Sequence, residues 1–468
     1  MNMTVEEKNK IIKDNLDIIN AVRHSDSFDL KSIADRVDLS WPTVKSTIDT
    51  LIASGVIVDD KTNTNKRFLI QEGFGYFLGI AIGATETKCA ITNFNFEPIN
   101  KSKNDEELFS NFKSRLERVL GKSCTDDTLC FRTINDNIEL RNLCSYIIEC
   151  ALDVFGNYDG KDLLSIGISF PAIIDKNNGE ISFCINIPQF IAMPLSCIIR
   201  SDLIERMKKA HIVYHFCHDT VAATVFEKEW LYYQNNLERL EKDKGNVATV
   251  YMGYGIGCGL IMNHTLMLGA SGAIGEIGHI PIEYEELKVA SGLTDEIYDA
   301  EKRDRDRYVW KKDENASVEE ELNVNATIGR CSCGHDNCLE RLIRIKVFNS
   351  IEIDDFIRKT HVNKMTCFPK EHPYRYRVLK HFIAKTLCMI INILNVDLII
   401  LSGRLLNNIP QLKKDVEGLI SKYSLTASAK CCKVIFGSGQ ADTVAIGASI
   451  MSYYNIKTYP CENVNIVW

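Results

Sequence analysis

Three cysteines, Cys331, Cys333 and Cys338, fall within eight residues in the run CSCGHDNCLE. Thiolates at this spacing can grip a divalent metal from one turn. With one imidazole added they would close a tetrahedral Zn²⁺ site, and closed sites are structural. The plainer reading is a turn with reduced, uncoordinated thiols, because the chain carries 17 cysteines and some must cluster. Two glycine-rich stretches suit a different chemistry. GIAIGATETKCAIT (79–92) and VYMGYGIGCGLIMN (250–263) each set glycines between apolar runs. A strand–turn–strand of that kind can offer backbone N–H groups to a phosphate, although any β-hairpin reads the same way. A third stretch, IADRVDLSWPTVKSTIDTLIASGVI, has the spacing of two helices joined by a turn. On its second helix Trp41, Thr43, Lys45, Ser46 and Thr47 are predicted to face outward, as residues that read base edges and phosphates must.

The elements around that third stretch form a front module over 1–72. Apolar residues recur at helical spacing through Leu16, Ile18, Ile19 and Val22, again through Leu30, Ile33, Ala34 and Val37, and again through Val44, Ile48, Leu51 and Ile52. Ser40 is placed to cap the third helix, and Pro42 lies in its first turn, where the missing N–H costs nothing. Gly55 stops it; Val56–Val58 and Arg67–Ile70 then read as strands around a polar turn. This is the layout of a winged helix-turn-helix, with a three-helix dimerisation module as the alternative. Residues 1–72 hold 10 Lys and Arg against 12 Asp and Glu, a net of −2. A phosphate clamp must therefore be local, drawn from Lys31, Lys45, Lys61, Lys66 and Arg67, and non-specific DNA affinity should be weak.

The remainder, from residue 74 on, alternates short apolar runs (FLGIAIG, LLSIGISF, HIVYHF, DLIILSGRLL) with helical patterns. That alternation predicts an α/β fold with buried strands and crossover helices. The charge-dense stretch 284–329 reads as a solvated insertion, and 100–133 has no assigned role. The chain has 468 residues, 45% hydrophobic and 25% charged, an ordinary globular composition with room for about three domains. No apolar run is long enough to span a membrane, and the polar start MNMTVEEKNKIIKDN is no secretory signal. A cytoplasmic location with reduced thiols is expected. The net charge of −7 argues against a protein coated in nucleic acid, but allows one small DNA-reading module.

GEIGH (275–279) followed by CxCGxxxCLE, together with SFPAIID and NGEI (169–181), HDTVAA (218–223), LIILSGR (398–404) and AIGAS (445–449), resembles the ROK family of repressors, open reading frames and sugar kinases. The motifs also come in the family's order, and a winged helix ahead of them resembles the repressor branch. The resemblance implies a two-lobed, actin-like (ribonuclease-H-like) ATPase/sugar kinase fold behind the winged helix. The domains would be 1–72, then 74–200 rejoined by a C-terminal helix at 441–455, then 201–440 with the insertion.

By position, the resemblance implies that His279 joins Cys331, Cys333 and Cys338 on the metal. Here 51 residues separate His279 from Cys331, more than the family usually has, so 284–329 must loop out; closure entropy grows only logarithmically with length. The sugar would meet Asn186, His218, Asp219, Glu276, His279 and Glu340, with Asp219 at the kinases' catalytic-base position. Carboxylates and imidazole suit vicinal hydroxyls, and without the family each would read as a solvated or structural acid. A nucleotide's phosphates would meet Gly83, Thr85, Gly253, Gly255, Gly257 and Gly403. One departure is decisive. Where the kinases carry Asp-x-Gly-Gly-Thr, this chain has Ala81-Ile82-Gly83-Ala84-Thr85. Alanine cannot hold Mg²⁺, and the Ala84 Cβ crowds the phosphate approach. ATP and Mg²⁺ use should be severely weakened. The expectation is a sugar-responsive repressor, dimeric or tetrameric, with operator DNA and a sugar or sugar derivative as partners. The alternatives are an active sugar kinase with an appended DNA module, and a zinc-stabilised scaffold.

Overall fold

The computed structural model describes residues 3–24, 30–60, 67–83, 86–121, 129–132, 140–156, 161–175, 178–184, 187, 190–232, 244–253, 255–282, 330–343, 369, 373–403, 409–440 and 442–458. At the front, α1 (Val5–His24), α2 (Leu30–Val37) and α3 (Trp41–Ala53) precede a hairpin of β1 (Ile57–Asp59) and β2 (Phe68–Ile70). This is a winged helix-turn-helix order, as the periodicity predicts. Ile33 and Ala34 of α2 and Val44, Ile48 and Leu51 of α3 are buried. Ser40 caps α3, its hydroxyl accepting from the Thr43 N–H at 3.4 Å, and Pro42 lies in the first turn. The candidate clamp residues Lys61 and Lys66 lie outside the described residues.

The chain divides into two units. The first holds the front module and a mixed sheet. Its strands are β3 (Tyr76–Ile82), β4 (Glu86–Thr92), β5 (Leu129–Arg132), β6 (Leu163–Phe170) and, beyond them in sequence, Val213–His218. The helices α4 (Glu106–Leu120) and α5 (Leu140–Phe155) supply one side of its core, with Leu108, Phe112, Ile147 and Ile148 buried. A small sheet follows, of β7 (Ile173–Asp175), β8 (Glu180–Phe183) and β9 (Met193–Pro194), and then α6 (Ser201–Lys209). The strand Val213–His218 is β10; it pairs parallel with β6 at the sheet edge and passes straight into α7 (Asp219–Tyr232). The sequence reading ended this lobe at residue 200. The structure carries it through α7, because β10 finds its hydrogen-bonding partner in β6, a non-local pairing that local pattern does not reveal.

The second unit is built on a sheet of order β13-β12-β11-β14-β15. β11 (Val247–Met252) and β12 (Ile256–Met262) form the second glycine-rich hairpin, extended by β13 (Thr265–Met267). After the short α8 (Leu339–Leu342) come α9 (Pro373–Leu394), β14 (Leu398–Ser402), α10 (Pro410–Tyr423), α11 (Thr426–Cys431) and β15 (Lys433–Phe436). Leu379, Phe382, Leu387 and Leu412 from the two long helices bury against Val250, Ile399 and Leu401 of the sheet. The insertion 284–329 lies outside the described residues.

The last helix, α12 (Thr443–Tyr454), returns to the first unit. Glycine makes that return close: a Cβ on Gly79 would lie 1.8 Å from the Ala445 carbonyl oxygen, and one on Gly167 1.8 Å from that of Ala448. The helix backbone therefore rests directly on β3 and β6, pinned by Thr92–Ser449 (3.0 Å) and Ser165–Ser452 (2.7 Å) hydroxyl pairs. Among the described residues the cysteines are free thiols, and no helix is long and apolar enough to cross a membrane.

Candidate functional site

The two glycine-rich stretches are hairpins. In the first, β3 and β4 pair antiparallel and the Gly83 N–H donates to the Glu86 carbonyl at 2.9 Å; Ala84 and Thr85 lie outside the described residues. Ala81, where the kinase pattern has its acid, is opposite Lys88. In the second, the Gly253 N–H donates to the Gly255 carbonyl at 3.0 Å, and Gly257 pairs with Tyr251. Gly403 follows β14 with φ +101; its Cβ would fall 2.1 Å from the Met252 carbonyl oxygen, so only glycine closes the sheet here.

The metal candidates are brought together by backbone. Gly275, at φ +81, lets its segment lie against β12, and the Cys258 N–H donates to its carbonyl at 2.8 Å. A short turn, Ile277–His279, then presents His279. Beyond it, the Leu339 N–H donates to Ile280 (3.0 Å) and the Ile282 N–H to Asn337 (2.8 Å), so the histidine strand runs antiparallel beside the cysteine turn. The donor atoms of His279, Cys331, Cys333 and Cys338 all lie within 4.8 Å of one another. Cys331 Sγ is 3.7 Å from His279 Nδ1, and Cys333 Sγ is 3.5 Å from Cys338 Sγ. A tetrahedron with metal–sulfur bonds of about 2.3 Å has edges of roughly 3.7 Å, so the set fits a four-coordinate metal. Burial opposes charge on Cys333, but hydrogen bonds from His335, Cys338 and Cys331 bring its pKa down to about 6; burial pushes the Cys331 and Cys338 thiols up. Of the three sulfurs, Cys333 is the one whose surroundings favour the thiolate.

His279 has two distinct sides. Nδ1 faces Cys331, whereas Nε2 faces a Glu276 carboxylate oxygen at 3.7 Å. A carboxylate on the far nitrogen is how a metal-bound imidazole is oriented. Glu340 has a backbone partner in addition to the role expected of it from the sequence. It is buried, and one of its oxygens accepts the Ile256 N–H at 2.9 Å. That oxygen braces the glycine-rich hairpin.

His218 ends β10 and Asp219 begins α7. His218 Nδ1 accepts the Thr220 N–H at 3.3 Å and lies 2.7 Å from the Thr220 hydroxyl and 3.3 Å from Asp219 Oδ1. Thr220 was missed in the sequence; its only signal is its place two residues after the histidine. Asn186 lies outside the described residues. The candidate groups thus stand on both units, His218 and Asp219 on the first, Glu276, His279 and Glu340 on the second.

On α3, Trp41, Thr43, Lys45 and Ser46 are exposed, and the Lys45 ammonium sits 5.3 Å over the Trp41 ring. Arg67, the clamp candidate within the described residues of the hairpin, donates from its guanidinium to both oxygens of Asp59, at 2.6 and 2.9 Å, which raises its pKa further. It braces the hairpin with that fork.

The family model of the ROK family matches residues 155–453. The xylose repressor of Caldicellulosiruptor bescii is 25% identical over 266 residues, 54% of this chain and 55% of that protein. The glucokinase of Thermotoga maritima is 26% identical over 162 residues, 35% of this chain and 44% of that one. The chain thus spans about half the length of the curated relatives it matches. A crystal structure of a ROK family transcriptional regulator, a homolog of the E. coli MLC protein, superimposes with a TM-score of 0.57 at 14% identity, over 95% of this chain and 98% of that one. That likeness is one of fold.

Proposed function

Since the chain belongs to the ROK family, we propose that it is a sugar-responsive transcriptional repressor whose body has lost most or all kinase activity. The observation that carries this reading is the surface of α3. Its apolar residues Val44, Ile48 and Leu51 are buried, while Trp41, Thr43, Lys45 and Ser46 are exposed at its start. A helix so presented, behind a helix and turn and before a β-hairpin, is built to enter a major groove. The xylose repressor among the relatives supports the same reading. Sugar contacts are proposed for Asp219 and His218 on the first unit and for Glu276 and Glu340 on the second, with Asn186, outside the described residues, as a further candidate. Zn²⁺ would be held by His279, Cys331, Cys333 and Cys338 in a structural role, fixing His279 and, through Cys338, the start of α8 that carries Glu340. A homodimer on a two-fold operator fits a helix-turn-helix reader.

The direct test is footprinting on DNA flanking the gene at low salt, with and without D-xylose, D-glucose or N-acetyl-D-glucosamine. Protection that one sugar relieves is the expected result, and no protected site would defeat the reading. A second reading, an active sugar kinase with a DNA-binding module, is favoured by Asp219 at the start of α7 and by the complete second glycine hairpin. It requires sugar-dependent ADP release that Asp219→Asn abolishes. With Ala81 in place of the kinase acid, Mg²⁺–phosphate positioning has no first-hairpin carboxylate at that residue, and we expect no release.

A further inference from the structure

α7 has a different environment at each end. It opens with Asp219, in the proposed ligand site, and ten residues on, about 15 Å along the axis, it carries Glu229. That carboxylate is 1% exposed. It accepts from His24 Nε2 of α1 at 2.8 Å and from the Tyr454 hydroxyl of α12 at 2.5 Å. One turn further, the Tyr232 ring stacks on His24, with centroids 3.9 Å apart and planes 11° from parallel. Arg36 of α2 donates to the Tyr232 hydroxyl and to the His24 carbonyl, both at 3.3 Å, and its guanidinium lies 5.7 Å from the Tyr232 ring centre. α2 is the helix that packs against α3.

The contacts differ in stiffness. α7 and α12 touch backbone to backbone, since a Cβ on Gly447 would lie 1.9 Å from the Ala222 carbonyl oxygen. α1 is fastened to the body at both ends. Lys8 donates to the Phe74 carbonyl (2.7 Å) and pairs with Asp162 (2.8 Å), and Arg23 donates to the Phe94 carbonyl (2.9 Å). Those bonds are short and mostly buried. The link from α7 to α2 is longer and only part-buried. A displacement at Asp219 carried along α7 would reach α2 through Tyr232 and Arg36.

We propose that α7 is the transmission element between the ligand site and the DNA-reading helix, and that Tyr232 and Arg36 are the positioning residues that pass its movement to α2 and α3. The inference rests on the regulator reading above. It goes beyond that reading by naming the path, and by treating α1 as part of the fixed body. Sugar binding then changes DNA affinity only as far as the two states differ at this contact.

The test uses the full-length chain, a fluorescent duplex from the DNA flanking its gene, and whichever of D-xylose, D-glucose or N-acetyl-D-glucosamine raises its thermal stability. Wild type should change its duplex affinity at least tenfold with that sugar. Tyr232→Ala should keep its sugar affinity and its sugar-free duplex affinity within threefold of wild type, yet respond to sugar less than twofold. Tyr232→Phe, which keeps the ring on His24 and under Arg36, should retain most of the response. Arg36→Ala approaches the contact from the other side and replaces Tyr232→Ala if that variant does not fold. A wild-type response in both alanine variants overturns the inference and leaves the regulator reading standing. A wild-type chain that binds no duplex, or binds one without answering any sugar, overturns both.

Discussion

The Glu229 carboxylate and the sulfurs of Cys331, Cys333 and Cys338 are packed into the two units by different means. Glu229 is surrounded by donors the chain itself supplies: His24 at 2.8 Å and Tyr454 at 2.5 Å. The sulfurs mainly face one another and two imidazoles, at 3.5–3.7 Å. Those spacings allow weak sulfur hydrogen bonds and also match the edges of a tetrahedral metal site. The first cluster is satisfied by protein donors, whereas the second, on the zinc reading proposed above, would be completed by an ion. The difference predicts which perturbations each will feel.

The largest effect should come from metal removal. Structural zinc in small domains supplies an apparent ~10–16 kcal/mol. The second unit has its own apolar core, so only part of that is at stake, but half of it, about 5–8 kcal/mol, would still match or exceed the substitution considered next. Treatment with a strong chelator should lower the thermal midpoint by many degrees and open residues 330–343 to hydrogen exchange. Exchange in α1 and α7 should stay as it was. Equal loss in both places would erase the contrast between the clusters.

Glu229→Ala should come next. It leaves His24 and the Tyr454 hydroxyl buried without their acceptor, which costs about 3–5 kcal/mol for a buried pair broken on one side. Urea unfolding should shift accordingly, with bound metal unchanged. Acid provides a graded version. Burial holds the His24 pKa below its ordinary 6.5, an effect that outweighs the attraction of Glu229. The unfolded chain therefore takes up a proton that the folded chain resists. Stability should be greatest above about pH 6.5 and fall as pH drops toward the lowered folded value, by at most ~1.4 kcal/mol per pH unit. The Glu229 pKa is also lowered, by His24 and Arg23 against the burial that opposes them, so it adds a loss of the same sign at lower pH. In His24→Gln the slope between pH 7 and 5.5 should flatten; an unchanged slope would mean His24 is not its source.

The two clusters were also unequally legible. Cys331, Cys333 and Cys338 announce themselves because metal ligation needs close spacing on one turn. The front module was readable for a similar reason: Ser40, Pro42 and the Val44–Ile48–Leu51 spacing are local signals. Glu227, Lys228 and Glu229 carry no local sign of burial, yet all three are buried, and the partners of Glu229 come from α1 and α12, distant in sequence. The lobe boundary at 200 failed likewise, on the β6–β10 pairing. Arg67 was read as a phosphate clamp from its charge, while its geometry depends on Asp59 across a turn whose length the sequence does not fix. Local chemistry was visible; partners delivered by tertiary folding were not.

The smallest effect sharpens the contrast most. Glu276 faces the His279 nitrogen that points away from the sulfurs, at 3.7 Å. Glu276→Gln keeps the size of the side chain and removes its charge, so it weakens the orientation and basicity of the imidazole without touching a sulfur. Loss of such an outer partner typically costs 10–100-fold in metal affinity. With an amide still able to accept the Nε2 proton, about tenfold is expected, read by competition with a zinc-binding dye. The metal-free protein should unfold at the same urea concentration as metal-free wild type, because the carboxylate has this work only when the other nitrogen is on a metal. Tyr454→Phe is the matching change at Glu229, and it should destabilise the protein whether metal is present or not. If Glu276→Gln instead lowered metal-free stability, the histidine cluster would be a self-sufficient polar network like the one around Glu229, and the distinction between the two would fail.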